Sequence, residues 1–121
     1  MNPLFFNLEG SFEEVAKAIF RTLDIENILE GDSLNVFDGT YYESSVLGMI
    51  IRLEKNSYEY EDDFIYTLFV KKNYESSVKT NHKIEDAMLS LILDLLSINL
   101  HIDIGFEKDN KLHIVYPPAK K

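Results

Sequence analysis

The chain has 121 residues, of which 45% are hydrophobic and fifteen are Phe or Tyr; this is enough for one core and too little for two. Cysteine is absent, which excludes disulfides, thiolate metal ligands and thiol nucleophiles, and fits a reducing compartment. The net charge of −9 argues against a nucleic-acid binder, because neutralising phosphates takes clustered Lys and Arg.

Taken in chain order, Leu4 to Leu8 reads as a short edge strand ended by Gly10. Ser11 and Glu14 form the S-x-x-E capping box, and Phe12, Val15, Ala16, Ile19, Phe20 and Leu23 then recur at helical spacing on one face. Asp24 to Asp32 is an acidic connector with room for one more helical turn around Ile25, Ile28 and Leu29. Ser33 to Phe37 is expected as a strand, followed by a turn at Asp38-Gly39. Tyr41 to Leu53 reads as one long strand, with Leu47, Met49, Ile51 and Leu53 on one side and Arg52 on the other. Gly48 within it marks a bulge or a close approach. Residues 54–63 form a polar acidic loop, and Phe64 to Lys72 returns as a strand with Phe64, Tyr66, Leu68 and Val70 on one face.

A second helix is expected from His82 to Ile98. Its apolar surface is broader than one stripe, so it is either deeply buried or touches something beyond its own sheet; burial is the favoured reading. Leu100 to Phe106 alternates as a strand. A three-residue loop, Lys108-Asp109-Asn110, then pairs Phe106 with Leu112 and Ile104 with Ile114. Residues 117–121 are expected to fray. The result is a single α+β domain over 1–121, two helices packed on a mostly antiparallel sheet, in the order β-α-β-β-β-α-β-β.

The chemistry-bearing residues are sparse. That register puts His113 opposite Gly105 and His101 about 13 Å away, too far to share a metal. His82 begins a helix, a poor place for a cation. No Walker loop, nucleophile elbow, dinucleotide fingerprint, zinc-protease motif or calcium loop is present. The expectation is a non-enzyme with no cofactor and no metal. The N-terminal residues lack the pattern of a signal peptide, and the longest apolar segment, Ala87 to Leu100, is too short and too polar to span a bilayer; a cytoplasmic location without membrane contact is expected.

The placement of charge is the strongest signal. Between Thr22 and Asp63 eleven acids face only Arg52 and Lys55, while the rest of the chain is neutral. A field confined to one third of a domain steers basic partners toward it. The same stretch holds Tyr41, Tyr42, Tyr58 and Tyr60 beside Asp38, Glu43, Glu59, Glu61, Asp62 and Asp63. Tyr provides contact area at small entropic cost and carboxylates accept paired hydrogen bonds from Arg, so these ten residues are the candidate partner-binding set. The plainer alternative is that the rings flank the sheet and the acids keep its edge soluble.

Asn7-Leu8-Glu9-Gly10-Ser11-Phe12-Glu13-Glu14-Val15-Ala16-Lys17-Ala18-Ile19 and Gly39-Thr40-Tyr41-Tyr42-Glu43-Ser44-Ser45-Val46-Leu47-Gly48-Met49-Ile50-Ile51 together cover about a fifth of the chain. In an acidic, cysteine-free α+β chain they resemble the immunity proteins of bacterial contact-dependent growth inhibition and other polymorphic toxin systems. The resemblance implies a cognate toxin C-terminal domain as partner, basic and often a nuclease, bound by a monomer or weak dimer. It implies Glu59, Glu61, Asp62 and Asp63 as charge complements and Tyr58 and Tyr60 as anchors, with Asp38, Tyr41, Tyr42 and Glu43 second. The alternative is an oligomerising or adaptor domain that uses the apolar helix 84–96 and a free sheet edge.

Overall fold

The computed structural model describes residues 3–34, 39–56, 63–77, 80–109 and 111–117. Seven strands form one antiparallel sheet: β1 (Leu4–Phe6), β2 (Leu29–Asp32), β3 (Thr40–Val46), β4 (Met49–Lys55), β5 (Tyr66–Lys72), β6 (Ile104–Lys108) and β7 (Lys111–Val115). Their spatial order is β2-β3-β4-β5-β1-β6-β7. Helices α1 (Phe12–Thr22) and α2 (His82–Leu100) complete the chain order β-α-β-β-β-β-α-β-β. The α+β class and the two-helix, antiparallel arrangement are as expected from the sequence. The order has one strand more.

That strand comes from a turn. Leu47 and Gly48 both have positive φ, 50° and 79°, the signature of a two-residue primed hairpin, so the stretch expected as one strand is β3, a turn and β4. Tyr42 and Ser44 therefore face the core from β3, and Met49, Ile51 and Leu53 from β4. Leu47 is exposed in the turn rather than aligned with them.

Other boundaries also move. β1 is a central strand between β5 and β6, with all three residues buried, not an edge. The strand placed at Ser33–Phe37 is found earlier, at Leu29–Asp32, where a helical turn was expected; residues 35–38 lie outside the described set. Phe64 precedes β5 and its ring meets Phe5 at 6.1 Å, across the sheet from the core that Tyr66, Leu68 and Val70 enter. His101, in the left-handed region at φ 53°, ends α2, so the next strand begins only at Ile104. The final hairpin is shifted by one residue, pairing Phe106 with His113 and Ile104 with Val115. Such a slip exchanges the faces of β7, so His113 stacks on Phe106 at 5.5 Å while Leu112 and Ile114 turn to the other side.

Helix α1 begins as the sequence dictates. The Ser11 Oγ accepts from the Glu14 N–H at 3.2 Å and the Ser11 N–H donates to Glu14 Oε1 at 3.3 Å. These bonds hold the Glu14 carboxyl below its ordinary range. Val15, Ala16, Ile19 and Phe20 are buried, and Phe12 meets Tyr42 edge-on at 4.9 Å and stacks on Tyr66 at 5.8 Å. Helix α2 packs less deeply than expected. Ile92, Leu96 and Ser97 are its buried residues, whereas Ile84, Leu91 and Ile98, seven apart, are exposed.

Both helices contribute to one core against a single face of the sheet. Among the described residues the other face is capped at one end, where Phe64 and Leu112 close over Phe5 and Gly105. A Cβ on Gly105 would come within 3.1 Å of both. Over β3 and β4 no element among the described residues covers this face.

Candidate functional site

The open face is built from alternate residues of β3 and β4. Because β-strand side chains alternate, burying Tyr42, Ser44, Ile51 and Leu53 sends Tyr41, Glu43, Arg52 and Glu54 to the opposite side. The antiparallel register then sets Glu43 directly across from Arg52, and Tyr41 across from Glu54.

Arg52 organises these groups. Its Nε donates to Glu43 Oε2 at 2.9 Å and a terminal nitrogen lies 2.7 Å from the same oxygen. The other terminal nitrogen is 4.0 Å from Glu54 Oε2. The guanidinium carbon sits 4.2 Å from the centre of the Tyr41 ring, a cation–π contact worth about 0.5–1 kcal/mol at a partly exposed site. Tyr41 is held from the other side as well, since its ring lies over Gly31 of β2. A Cβ there would fall 2.3 Å from the ring, so only glycine fits beneath it.

Glu54 is the unusual member. Burial pushes its carboxyl above the ordinary value, against the opposing pull of Arg52 and Lys71. A Tyr ring, a guanidinium and two carboxylates thus form a fixed, partly exposed polar array on this face of the sheet, suited to recognition by hydrogen bonding and stacking.

The residues expected to bind a partner divide four ways, Asp63 standing apart from the other three groups. Tyr41 and Glu43 belong to the array. Tyr42 points into the core at 9% exposure, its hydroxyl donating to Glu30 Oε1 at 2.9 Å. Burial, and then that acceptor, push its phenol up to about 12. Asp38 and Tyr58, Glu59, Tyr60, Glu61 and Asp62 lie outside the described residues.

Their flanks are described. Tyr41 and Glu54, paired across β3 and β4, stand at the end of the sheet from which both segments depart. The second segment is clamped at its base. Asn7 Nδ2 donates to the Asp63 carbonyl and the Ile65 N–H donates to Asn7 Oδ1, both at 2.7 Å. The Asn56 N–H reaches the Ile65 carbonyl at 2.8 Å and its Nδ2 reaches the Phe64 carbonyl at 2.9 Å. Asp63 is exposed beside this clamp.

Comparison with known protein families, with characterised proteins and with solved structures finds no match to this chain.

Arg52 and Glu54 were absent from the candidate set. Arg52 faces outward in any strand reading, but its pairing with Glu43 exists only once the Leu47-Gly48 turn folds β4 back on β3. Among the described residues no group of three or more His, Asp or Glu is placed to share a metal ion. No helix among them is long and apolar enough to cross a membrane.

Proposed function

We propose that this protein is an immunity protein, a non-catalytic inhibitor that binds a cognate, basic, nuclease-type toxin domain in the cytoplasm and covers its active site. The observation that carries this reading is the Arg52 array on the open face, at the end of the sheet from which the acidic segment 57–62 departs. Tyr41 is held between Gly31 and Arg52, so it offers contact area with little conformational freedom left to lose. Glu43, Glu54 and Asp63, with Glu59, Glu61 and Asp62 in the neighbouring segment, match a surface that grips phosphates. Carboxylates at such a rim accelerate association with a basic partner. Tyr58 and Tyr60 are the proposed anchors, and Asp38 contributes at the margin; Tyr42, facing the core, takes no part.

The test is co-expression with the toxin-like C-terminal region encoded directly upstream. Cell survival and a co-purifying complex that weakens with added salt are expected. Death of the cells despite abundant folded protein would overturn the reading.

One observation favours a second reading. Ile84, Leu91 and Ile98 leave an apolar stripe on the outside of α2, as an oligomerising or adaptor domain would. Under that reading light scattering shows a mass that rises with concentration. Immunity by a monomer predicts a constant one.

A further inference from the structure

β2 is the terminal strand on one side of the sheet, and among the described residues no strand pairs with its outer edge. The Ser33 N–H donates to the Gly39 carbonyl at 2.8 Å, which fixes the phase of the β2–β3 ladder. By alternation, Leu29 and Gly31 turn their backbone groups toward β3, whereas Glu30 and Asp32 turn theirs to the open edge. Sheet edges are commonly blunted by short length, charged side chains, proline or a bulge. The segment Leu29–Asp32 is short but has no proline and pairs with β3 in unbroken register, and its charges, Glu30 and Asp32, guard it against an acidic edge and not against a basic one.

Beside this edge, between β2 and α1, lies a cavity of about 180 Å³ lined by Glu13, Ala16, Lys17, Ile28, Glu30 and Tyr42. Ala16 and Tyr42 supply buried surface. The Tyr42 hydroxyl holds Glu30 by Oε1, and among the described residues Oε2 takes no hydrogen bond. Lys17 is paired to Glu13 at 3.5 Å, so the cavity keeps one uncompensated carboxylate. No lysine or arginine occurs between Arg21 and Arg52, so the surroundings, with Asp24, Glu26 and Asp32, are acidic as well.

We infer that β2 takes up an extended segment of the basic partner as an added strand, with a lysine or arginine of that segment entering the cavity to meet Glu30. Backbone hydrogen bonds to Glu30 and Asp32 supply register, and the cavity supplies side-chain choice. The acids that admit a basic strand also repel β2 of a second copy. The inference rests on the reading that the partner is a basic protein.

The probe is a short synthetic peptide alternating threonine and lysine, with two controls: the same peptide N-methylated at alternate amides, and one with glutamate for lysine. Amide hydrogen exchange by NMR should show Glu30 and Asp32 becoming protected with the first peptide and with neither control. Glu30→Gln should weaken binding about tenfold, the effect of losing a charge-assisted hydrogen bond. Asp32→Pro removes an outward N–H, a change that edge strands tolerate, and should abolish protection at Glu30. No protection at millimolar peptide, or equal protection by the N-methylated peptide, overturns the inference. So does protection that grows with protein concentration alone, which would identify a second copy as the occupant. A toxin neutralised without docking of the peptide leaves the immunity reading standing and removes the added strand. Docking of the peptide with no toxin neutralised upholds the added strand and removes only the immunity reading.

Discussion

Glu54 carries a charge in a place that disfavours it. Its side chain is only 15% exposed, and Arg52 at 4.0 Å is too distant to offset that burial in full. A folded-state pKa raised above the unfolded one means that the fold prefers the protonated form. The resulting stabilisation is complete below the unfolded value of 4.5 and is lost as pH rises through the folded value. At neutral pH the ionised group is therefore a liability to stability, of the kind often found where surface is reserved for contact. Glu54→Gln is expected to melt higher than the parent at pH 7, with the gain shrinking as pH falls toward 4. Thermal melts across that interval check this, and a destabilised variant at pH 7 would show that Arg52 and Lys71 outweigh burial.

Among the elements, the β3–β4 hairpin departs furthest from its sequence. Leucine is a poor residue for φ 50°, where its Cβ crowds the backbone, and primed turns normally carry Asn-Gly. The side chain is exposed, so nothing in the core holds it there. Leu47→Asn should stabilise the protein by about 1 kcal/mol and raise Tm by roughly 4 °C. Calorimetry would decide this, and an unchanged Tm would mean that the strain is absorbed elsewhere. The same leucine explains why the hairpin was hidden: its apolar side chain continues the alternation of Met49, Ile51 and Leu53 and covers the turn signal of Gly48. β2 was obscure for a related reason. Leu-Glu-Gly-Asp has little strand propensity and is a strand because β3 pairs with it and the Tyr41 ring needs Gly31. The start and buried face of helix α1 were legible because its capping box and apolar stripe are local. Of the open face only Tyr41 and Glu43 were legible as candidates; the Arg52–Glu43 and Tyr41–Arg52 contacts depend on pairing, which periodicity does not encode.

For the molecule as a whole, the governing quantity is the placement of its charge. Acids outnumber bases eleven to two between Thr22 and Asp63, and the described part of this stretch forms β2, β3 and β4, one side of the sheet. A field with that polarity acts mainly on the rate of encounter. Reversing Glu59, Glu61, Asp62 and Asp63 together should slow association with a basic partner and flatten its salt dependence. The melting curve should stay near that of the parent, since Asp63 is exposed and its carbonyl, not its carboxylate, meets Asn7. Stopped-flow kinetics over a range of salt, alongside a thermal melt, test this directly. An unchanged rate in a normally folded variant would separate the acidic segment from recognition.

The central position of β1 reaches into how the protein acquires its shape. Leu4, Phe5 and Phe6 pair with Tyr66–Leu68 on one side and Ile104–Phe106 on the other. As the chain leaves the ribosome, these three apolar residues have no strand to join until β5 has emerged, and the second side waits for β6. The meander β2-β3-β4-β5, all nearest-neighbour pairings, can form without them. Closing the long loop back to β1 is entropically unfavourable until both neighbours exist, so the seam at β1 is expected to form late and to set the overall rate. Until then the nascent sheet has an unpaired β5 edge in its middle, the interval in which this protein is most exposed to aggregation or to capture by a chaperone.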